Sequence, residues 1–301
     1  MDPSMSSPKP DMPAATPISR KFVLEFTKMS GAGNDFIVID NRFYRFSGSE
    51  LSEMASRFSP RRTGVGADGL LALQVSDGEG VDYRMAYYNA DGSLGTMCGN
   101  GARCLARFAW DAGIQRETLT FSSDAGQYEA LILEDGGIRL FVPPPLAFRP
   151  SMKLASAHAF PDAQCHYLWT GTEHLVVFVD DVNAVDLGSV GPGLRSDPAL
   201  GEAGANVNFV EVVETGSLGA AARLRVRTFE KGVEAETLAC GTGSIASSMV
   251  TALTGGSDAR RFEVSMPGGI LAVGFEGSAG SPENLYLEGP AENIYRGSLE
   301  L

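Results

Sequence analysis

The stretch Met97-Cys98-Gly99-Asn100-Gly101-Ala102 returns in the second half of the chain as Ala239-Cys240-Gly241-Thr242-Gly243-Ser244. Each copy opens a run with helical spacing of apolar residues. These are Ala102, Leu105, Ala106 and Ala109 after the first, and Ile245, Ala246, Met249 and Val250 after the second. Backbone N–H groups at a helix start have no partner within the helix, so they attract anions and favour a thiolate. Two such devices in one chain point to a duplicated fold that turns two cysteines toward one substrate.

Outward from the first copy, Phe22 to Lys28 and Phe36 to Asp40 read as strands around the glycine-rich turn at 30–35. Leu51, Met54, Ala55 and Phe58 have helical spacing, with Ser49 placed to cap. Gly69 to Val75, Asp82 to Asn89, Leu119 to Ser122, Gln127 to Leu133 and Ile138 to Val142 read as further strands, and Gly113 as the end of the first Cys-Gly helix. Pro143-Pro144-Pro145 is stiff and extended and marks a boundary. Beyond it, Leu175 to Val179, Phe209 to Val213, Leu224 to Phe229, Phe262 to Ser265 and Ile270 to Phe275 repeat the pattern around the second helix. The expected class is therefore α/β (α+β), with a helix among short strands in each half.

The chain has 301 residues, is 44% hydrophobic and carries a formal net charge of -13. That charge argues against nucleic acid as a partner. Apolar runs such as Leu175 to Val179 are too short to cross a bilayer, so no membrane span is expected. The acidic, arginine-rich balance fits either a salt-rich cytoplasm or a GC-rich genome. The four cysteines (Cys98, Cys104, Cys165, Cys240) make no disulfide framework and read as free thiols in a reducing, cytoplasmic protein. With no Cys-x-x-Cys pair and only three histidines, no metal site is expected. Residues 1–21, rich in proline and serine, read as a disordered N-terminal tail rather than a signal peptide.

Two motifs mislead. Gly64-Val65-Gly66-Ala67-Asp68-Gly69 matches a dinucleotide fingerprint, yet no strand precedes it and a strand rather than a helix follows. Gly241-Thr242-Gly243-Ser244 looks like a phosphate loop but lacks its lysine.

Inverting a carbon that bears an amine and a carboxylate needs a base on one face and an acid on the other. Cysteine suits both roles, because a helix N-terminus tunes its thiol toward neutral pH. Glycines beside it let backbone N–H groups approach the substrate carboxylate and stabilise the charge that builds as the proton leaves. One thiolate and one thiol then make a racemase or epimerase with no cofactor, acting on a small amino acid. Cys104, inside the helix, and Cys165 read as packing residues.

The sequence resembles the diaminopimelate epimerase family from about Phe22 to Leu301. The resemblance is carried by Lys28-Met29-Ser30-Gly31-Ala32-Gly33-Asn34-Asp35-Phe36, Thr63-Gly64-Val65-Gly66-Ala67-Asp68-Gly69-Leu70-Leu71 and Tyr88-Asn89-Ala90-Asp91-Gly92-Ser93. Asn206-Val207-Asn208-Phe209, Arg227-Thr228-Phe229-Glu230-Lys231-Gly232, both Cys-Gly motifs and the Pro267-Gly268-Gly269 turn complete it. It implies two similar domains, each a β-cage around a central helix, with the substrate between them. The implied boundaries are residues 22–143, rejoined by 290–301, and residues 144–289. It implies conversion of LL- to meso-diaminopimelate in lysine biosynthesis, with Cys98 and Cys240 as the acid/base pair. Gly99, Asn100, Gly241 and Thr242 would hold the reacting carboxylate. Asn34, Asn89, Asn206, Glu230 and Lys231 would grip the rest, and His174 and Glu230 would stand near the reacting amino group. The family also implies a homodimer.

Three departures bear on the substrate. Glu230-Lys231 stands where the family usually has Glu-Arg, Thr172-Glu173-His174 where it has Asn-Pro-His, and Gly69 where glutamine is frequent. Lysine offers a point charge in place of arginine's fork. The alternatives left open are a racemase of another amino acid, such as histidine or a substituted serine, and a non-catalytic dithiol protein on the same fold.

Overall fold

The structure, a computed structural model, describes residues 22–76, 78–157 and 164–301. The tail expected at 1–21 lies outside them. Strand Val23–Gly31 turns through Ala32 and Gly33 into antiparallel Asn34–Asp40. Gly33 has φ +98, and a Cβ there would stand 3.0 Å from Gly268 Cα, so the tip needs glycine for both conformation and space. Helix Gly48–Phe58 then crosses over to Gly69–Gln74, parallel to Asn34–Asp40, with Tyr83–Asn89 antiparallel beside it. The second crossover, helix Gly99–Asp111, leads to Thr118–Ser123, parallel to Tyr83–Asn89; Gly126–Ile132 and Ile138–Phe141 follow as antiparallel strands.

The second half repeats each step. Cys165–Trp169 pairs antiparallel with Glu173–Phe178; helix Leu187–Arg195 crosses to the parallel Asn206–Glu214; Ala222–Glu230 follows antiparallel. Helix Gly241–Leu253 crosses to the parallel Arg261–Met266, and Gly269–Ser278 and Ser281–Gly289 return antiparallel. The opening strand of each half gains one more partner: Leu146–Arg149 lies on Cys165–Trp169, and Glu292–Glu300 lies on Val23–Gly31. Ser281–Gly289 also pairs with Ile138–Phe141, so one hydrogen-bonded ladder runs across both halves. The fold is thus mixed α+β, two topologically similar halves each wrapped around a helix.

The apolar spacing read from the sequence is what each helix buries. Ala102, Leu105, Ala106 and Ala109 pack on Phe36, Leu71, Met85, Phe121 and Leu140. Ile245, Ala246, Met249 and Val250 pack on Val176, Val210, Val226, Phe262 and Val273. Each such large side chain, fully buried, contributes about 1.5–3 kcal/mol. The second helix is buried on its polar side too. There Ser247 Oγ donates to Gly243 O at 2.7 Å and Thr251 Oγ1 to Ser247 O at 2.7 Å, so these hydroxyls are satisfied one turn back.

One expectation shifts, and several elements lie outside the sequence pattern. The first crossover helix is capped by Ser47, not Ser49, in a reciprocal box with Glu50. Helix Leu187–Arg195 carries no helical signal in its sequence, because it holds Gly188, Gly191, Pro192 and Gly193, all poor helix formers. It forms through the Asp186 cap and burial of Leu187 and Leu194, and a Cβ at Gly191 would stand 2.5 Å from the Phe229 ring. Strands Cys165–Trp169 and Ser281–Gly289 are additions to those the sequence pattern indicates.

Candidate active site

Cys98 and Cys240 are the N-cap residues of the two central helices, with φ/ψ of -139/117 and -130/104. Each sulfur accepts from the third helical N–H, Gly101 at 3.5 Å and Gly243 at 3.4 Å. The N–H groups of Gly99 and Asn100, and of Gly241 and Thr242, precede the first intrahelical bonds, which run from Ala102 to Cys98 and from Ser244 to Cys240. The two helix starts face each other. A Cβ on Gly99 would stand 3.2 Å from Leu287 Cδ2, and one on Gly241 2.8 Å from the same methyl and 3.6 Å from Asn100 Oδ1.

Both cysteines line one cavity of about 750 Å³. Asn34, Asn89, Gly99, Asn100, Asn206, Glu230, Lys231, Gly241 and Thr242 line it as well. His174 is not part of the lining. It is fully buried, with Nδ1 3.0 Å from Asn208 Nδ2. Burial pushes its pKa down to about 3, so it is neutral.

Several of these side chains are already committed. Asn100 Nδ2 donates to Asn34 Oδ1 at 2.6 Å, and Asn100 Oδ1 accepts from Arg103 at 2.8 Å. Asn34 Nδ2 donates in turn to Asp68 at 2.9 Å, which Arg61 holds at 2.7 Å. What Asn100 presents to a ligand is therefore its backbone N–H. Asn206 donates to Glu173 O at 3.1 Å and accepts from the Lys231 N–H at 2.9 Å, fixing that strand end. Lys231 Nζ stands 2.5 Å from Glu173 Oε2, which also accepts from Thr172 at 3.1 Å.

Burial pushes both active-site thiols up. For Cys98 the Gly101 and Asn100 N–H groups and Arg103 work against that rise. Cys240 reaches about 12 through burial and the Glu230 carboxylate. Glu230, itself pushed up by burial, acts electrostatically on both sulfurs. Tyr87 was not foreseen. It lines the cavity, its hydroxyl donates to Asn89 Oδ1 at 2.8 Å, and its ring fills the space above Gly69 and Gly95. The only sequence signal for it was those two glycines near a tyrosine.

The profile of the family described as diaminopimelate epimerase matches residues 26–141 and 166–294. The chain belongs to the diaminopimelate epimerase family. A diaminopimelate epimerase of Chlorobaculum tepidum is 40% identical over 91% of this chain and 100% of its own length. One of Methanocella arvoryzae is 38% identical over 92% and 97%. Among solved structures, a Bacillus anthracis PhzF-family phenazine biosynthesis protein superposes with a TM-score of 0.69 at 15% identity, covering 93% of this chain and 100% of its own. A hydroxyproline epimerase of Agrobacterium vitis gives 0.63 at 14%, covering 92% and 91%. At that identity these two neighbours speak for the fold that members of the diaminopimelate epimerase family share. No helix among the described residues is long and apolar enough to cross a membrane.

Proposed function

We propose that this chain is an isomerase that interconverts LL- and meso-diaminopimelate, a step of lysine biosynthesis, with two cysteines as its only acid and base. The observation that carries this reading is the matched pair of N-cap cysteines on one cavity. One thiolate removes the α-proton while the other thiol delivers a proton to the opposite face. The charge that builds on the carboxylate meets the N–H groups of Gly99, Asn100, Gly241 and Thr242, which lie outside the helices' own bonding, at two helix starts. Glu230, close to both sulfurs, orients the reacting ammonium. Asn34 and Asn89 shape the wall and Asn206 anchors Lys231, which takes the distal carboxylate. His174 acts from behind the wall through Asn208, whose Oδ1 would stand 2.3 Å from a Cβ at Gly243. We also read residues 22–143 with 290–301, and 144–289, as two domains of a cytoplasmic homodimer.

Incubation with LL-diaminopimelate in D2O tests the reaction. The expected result is meso product carrying deuterium at one α-carbon; no exchange under reducing conditions overturns it. One observation favours a second substrate. The Lys231 ammonium is already neutralised by Glu173, so a distal carboxylate must compete for it. A monocarboxylate amino acid, histidine or a substituted serine, turned over well above diaminopimelate would establish that alternative.

A further inference from the structure

The two helix starts match in backbone but not in charge. Five residues after Cys98 comes Arg103; five after Cys240 comes Ile245. Arg103 has no exposed surface. Its guanidinium donates to Asn100 Oδ1 at 2.8 Å, Gly99 O at 3.4 Å and Pro290 O at 3.5 Å. All three acceptors are neutral, and among the described residues no carboxylate pairs with it. An arginine keeps its proton even when buried, and a buried charge without a counterion is costly. Two of its three acceptors belong to the residues directly after Cys98.

The anion that completes this arrangement has two candidates on the same helix. Cys104 feels the Arg103 charge too, but it is fully buried, away from the cavity, and burial still pushes it to about 12. Cys98 lines the cavity and accepts from the Gly101 N–H. Other titratable groups acting on Cys98 or lining the cavity are Glu230, Lys231, Tyr87, Tyr128 and Cys240; the strands beneath present Leu140 and Leu287. Across the cavity, Cys240 has Ile245 where Cys98 has a cation, and Glu230 as its charged neighbour.

We propose that Arg103 is a positioning residue whose buried guanidinium is the countercharge for a thiolate at Cys98, so that Cys98 gives up its proton before Cys240 and is the thiolate of the pair. The proposal rests on the two-cysteine reading of the site. In one turnover the substrate's α-proton passes to Cys98 Sγ and the Cys240 Sγ proton passes to the α-carbon. The enzyme is left with the charge on Cys240, where no cation matches it. Arg103 thereby sets which face of the carbon the resting enzyme deprotonates.

The test is site-resolved alkylation. The reduced protein, without substrate, is treated with limiting iodoacetamide from about pH 6 to pH 10 and labelling at each cysteine is quantified by peptide mass spectrometry. The readout is the pH midpoint, not the rate, because Cys98 is the more exposed of the two. In the wild type the Cys98 midpoint should lie at least about one pH unit below that of Cys240, or Cys98 should approach its plateau by about pH 10 while Cys240 labelling is still rising. Arg103→Gln should raise the Cys98 midpoint and leave Cys240 in place; Arg103→Lys should restore most of the difference. Equal or inverted wild-type midpoints overturn the proposal, as does an unchanged Cys98 midpoint in Arg103→Gln that melts cooperatively. If Arg103→Gln does not fold, the wild-type order and Arg103→Lys decide. Labelling needs no turnover, so the expected order in a protein inert toward diaminopimelate removes the substrate reading and leaves this one standing.

Discussion

Cys98 and Cys240 occupy the same backbone position in two copies of one fold, yet their surroundings have diverged. Around Cys98 the helix start is tied into charge: Asn100 links Arg103 to Asn34, Asn34 reaches Asp68, and Asp35 joins Arg61 and the buried Lys28. Around Cys240 the ties are neutral. Ser244 donates to Cys240 O at 3.0 Å, Thr170 to Thr242 O at 3.0 Å, and Thr228 to Asn208 Oδ1 at 2.9 Å, with neutral His174 behind. Duplication kept the geometry that presents a thiol and two N–H groups. It left the electrostatics free to differ, and two chemically identical side chains became inequivalent.

The largest expected effect tests whether both copies are needed. Cys98→Ser and Cys240→Ser should each lower kcat/KM by about 10²–10⁴-fold, the usual worth of a positioned acid or base. A coupled epimerisation assay checks this, and full rate in either variant breaks the pairing. Next comes packing. A Cβ at Gly243 would stand 2.3 Å from Asn208 Oδ1, whereas one at Gly101 would meet Leu71 Cδ2 at 3.2 Å. Gly243→Ala should therefore cost about 1–3 kcal/mol, well above Gly101→Ala, in denaturant melts. Equal losses would mean the second helix start is no tighter than the first.

Lys231→Ala should raise KM for diaminopimelate about tenfold with a smaller change in kcat, as loss of one charged hydrogen bond predicts. Lys231→Arg should lower KM if a distal carboxylate docks there; an unchanged KM in both moves the substrate reading to a monocarboxylate.

The last effect, the smallest when read per pH unit, separates the halves by acid. His174, held near 3, stays neutral in the fold but takes up a proton in the unfolded chain below its ordinary 6.5. Its destabilising contribution therefore grows as pH falls from 6.5 toward 3, by at most about 1.4 kcal/mol per pH unit. Asp35 has the opposite chemistry. Although burial opposes ionisation, Arg61 and Lys28 hold it down to about 2, so its contribution is present above the ordinary 3.8 and is lost as pH falls toward 2. Melting temperature should start to drop below about pH 6.5 and steepen below about pH 4, and His174→Gln should flatten the first limb most and leave the Asp35 loss below about pH 3 in place.

The helix mouths were legible because chemistry restricts them. A thiol, two glycines and a following 3.6-residue apolar period leave little choice of local structure. The cavity wall was legible at Asn34, Asn89, Glu230 and Lys231 through motif order. Roles that depend on a partner far along the chain were not. Nothing local says that Asn100's amide is consumed by Asn34 and Arg103, or that Glu173 reaches Lys231 from a neighbouring strand. His174 looked like a site residue, but strands on both sides of it leave it no exposure. Strand Ser281–Gly289 escaped because only Leu285 and Leu287 are buried, too few for an alternation to register.

The ladder between Val23–Gly31 and Glu292–Glu300 carries a consequence for biosynthesis. Val23–Gly31 leaves the ribosome long before Glu292–Glu300, its partner along one edge. Until residue 300 is translated, that edge stays open, and the strand's backbone is paired only by the hairpin with Asn34–Asp40 among the described strands. Nascent chains halted anywhere before residue 292 should thus carry an unprotected sheet margin, a ready target for chaperones and for pairing with a neighbouring nascent copy.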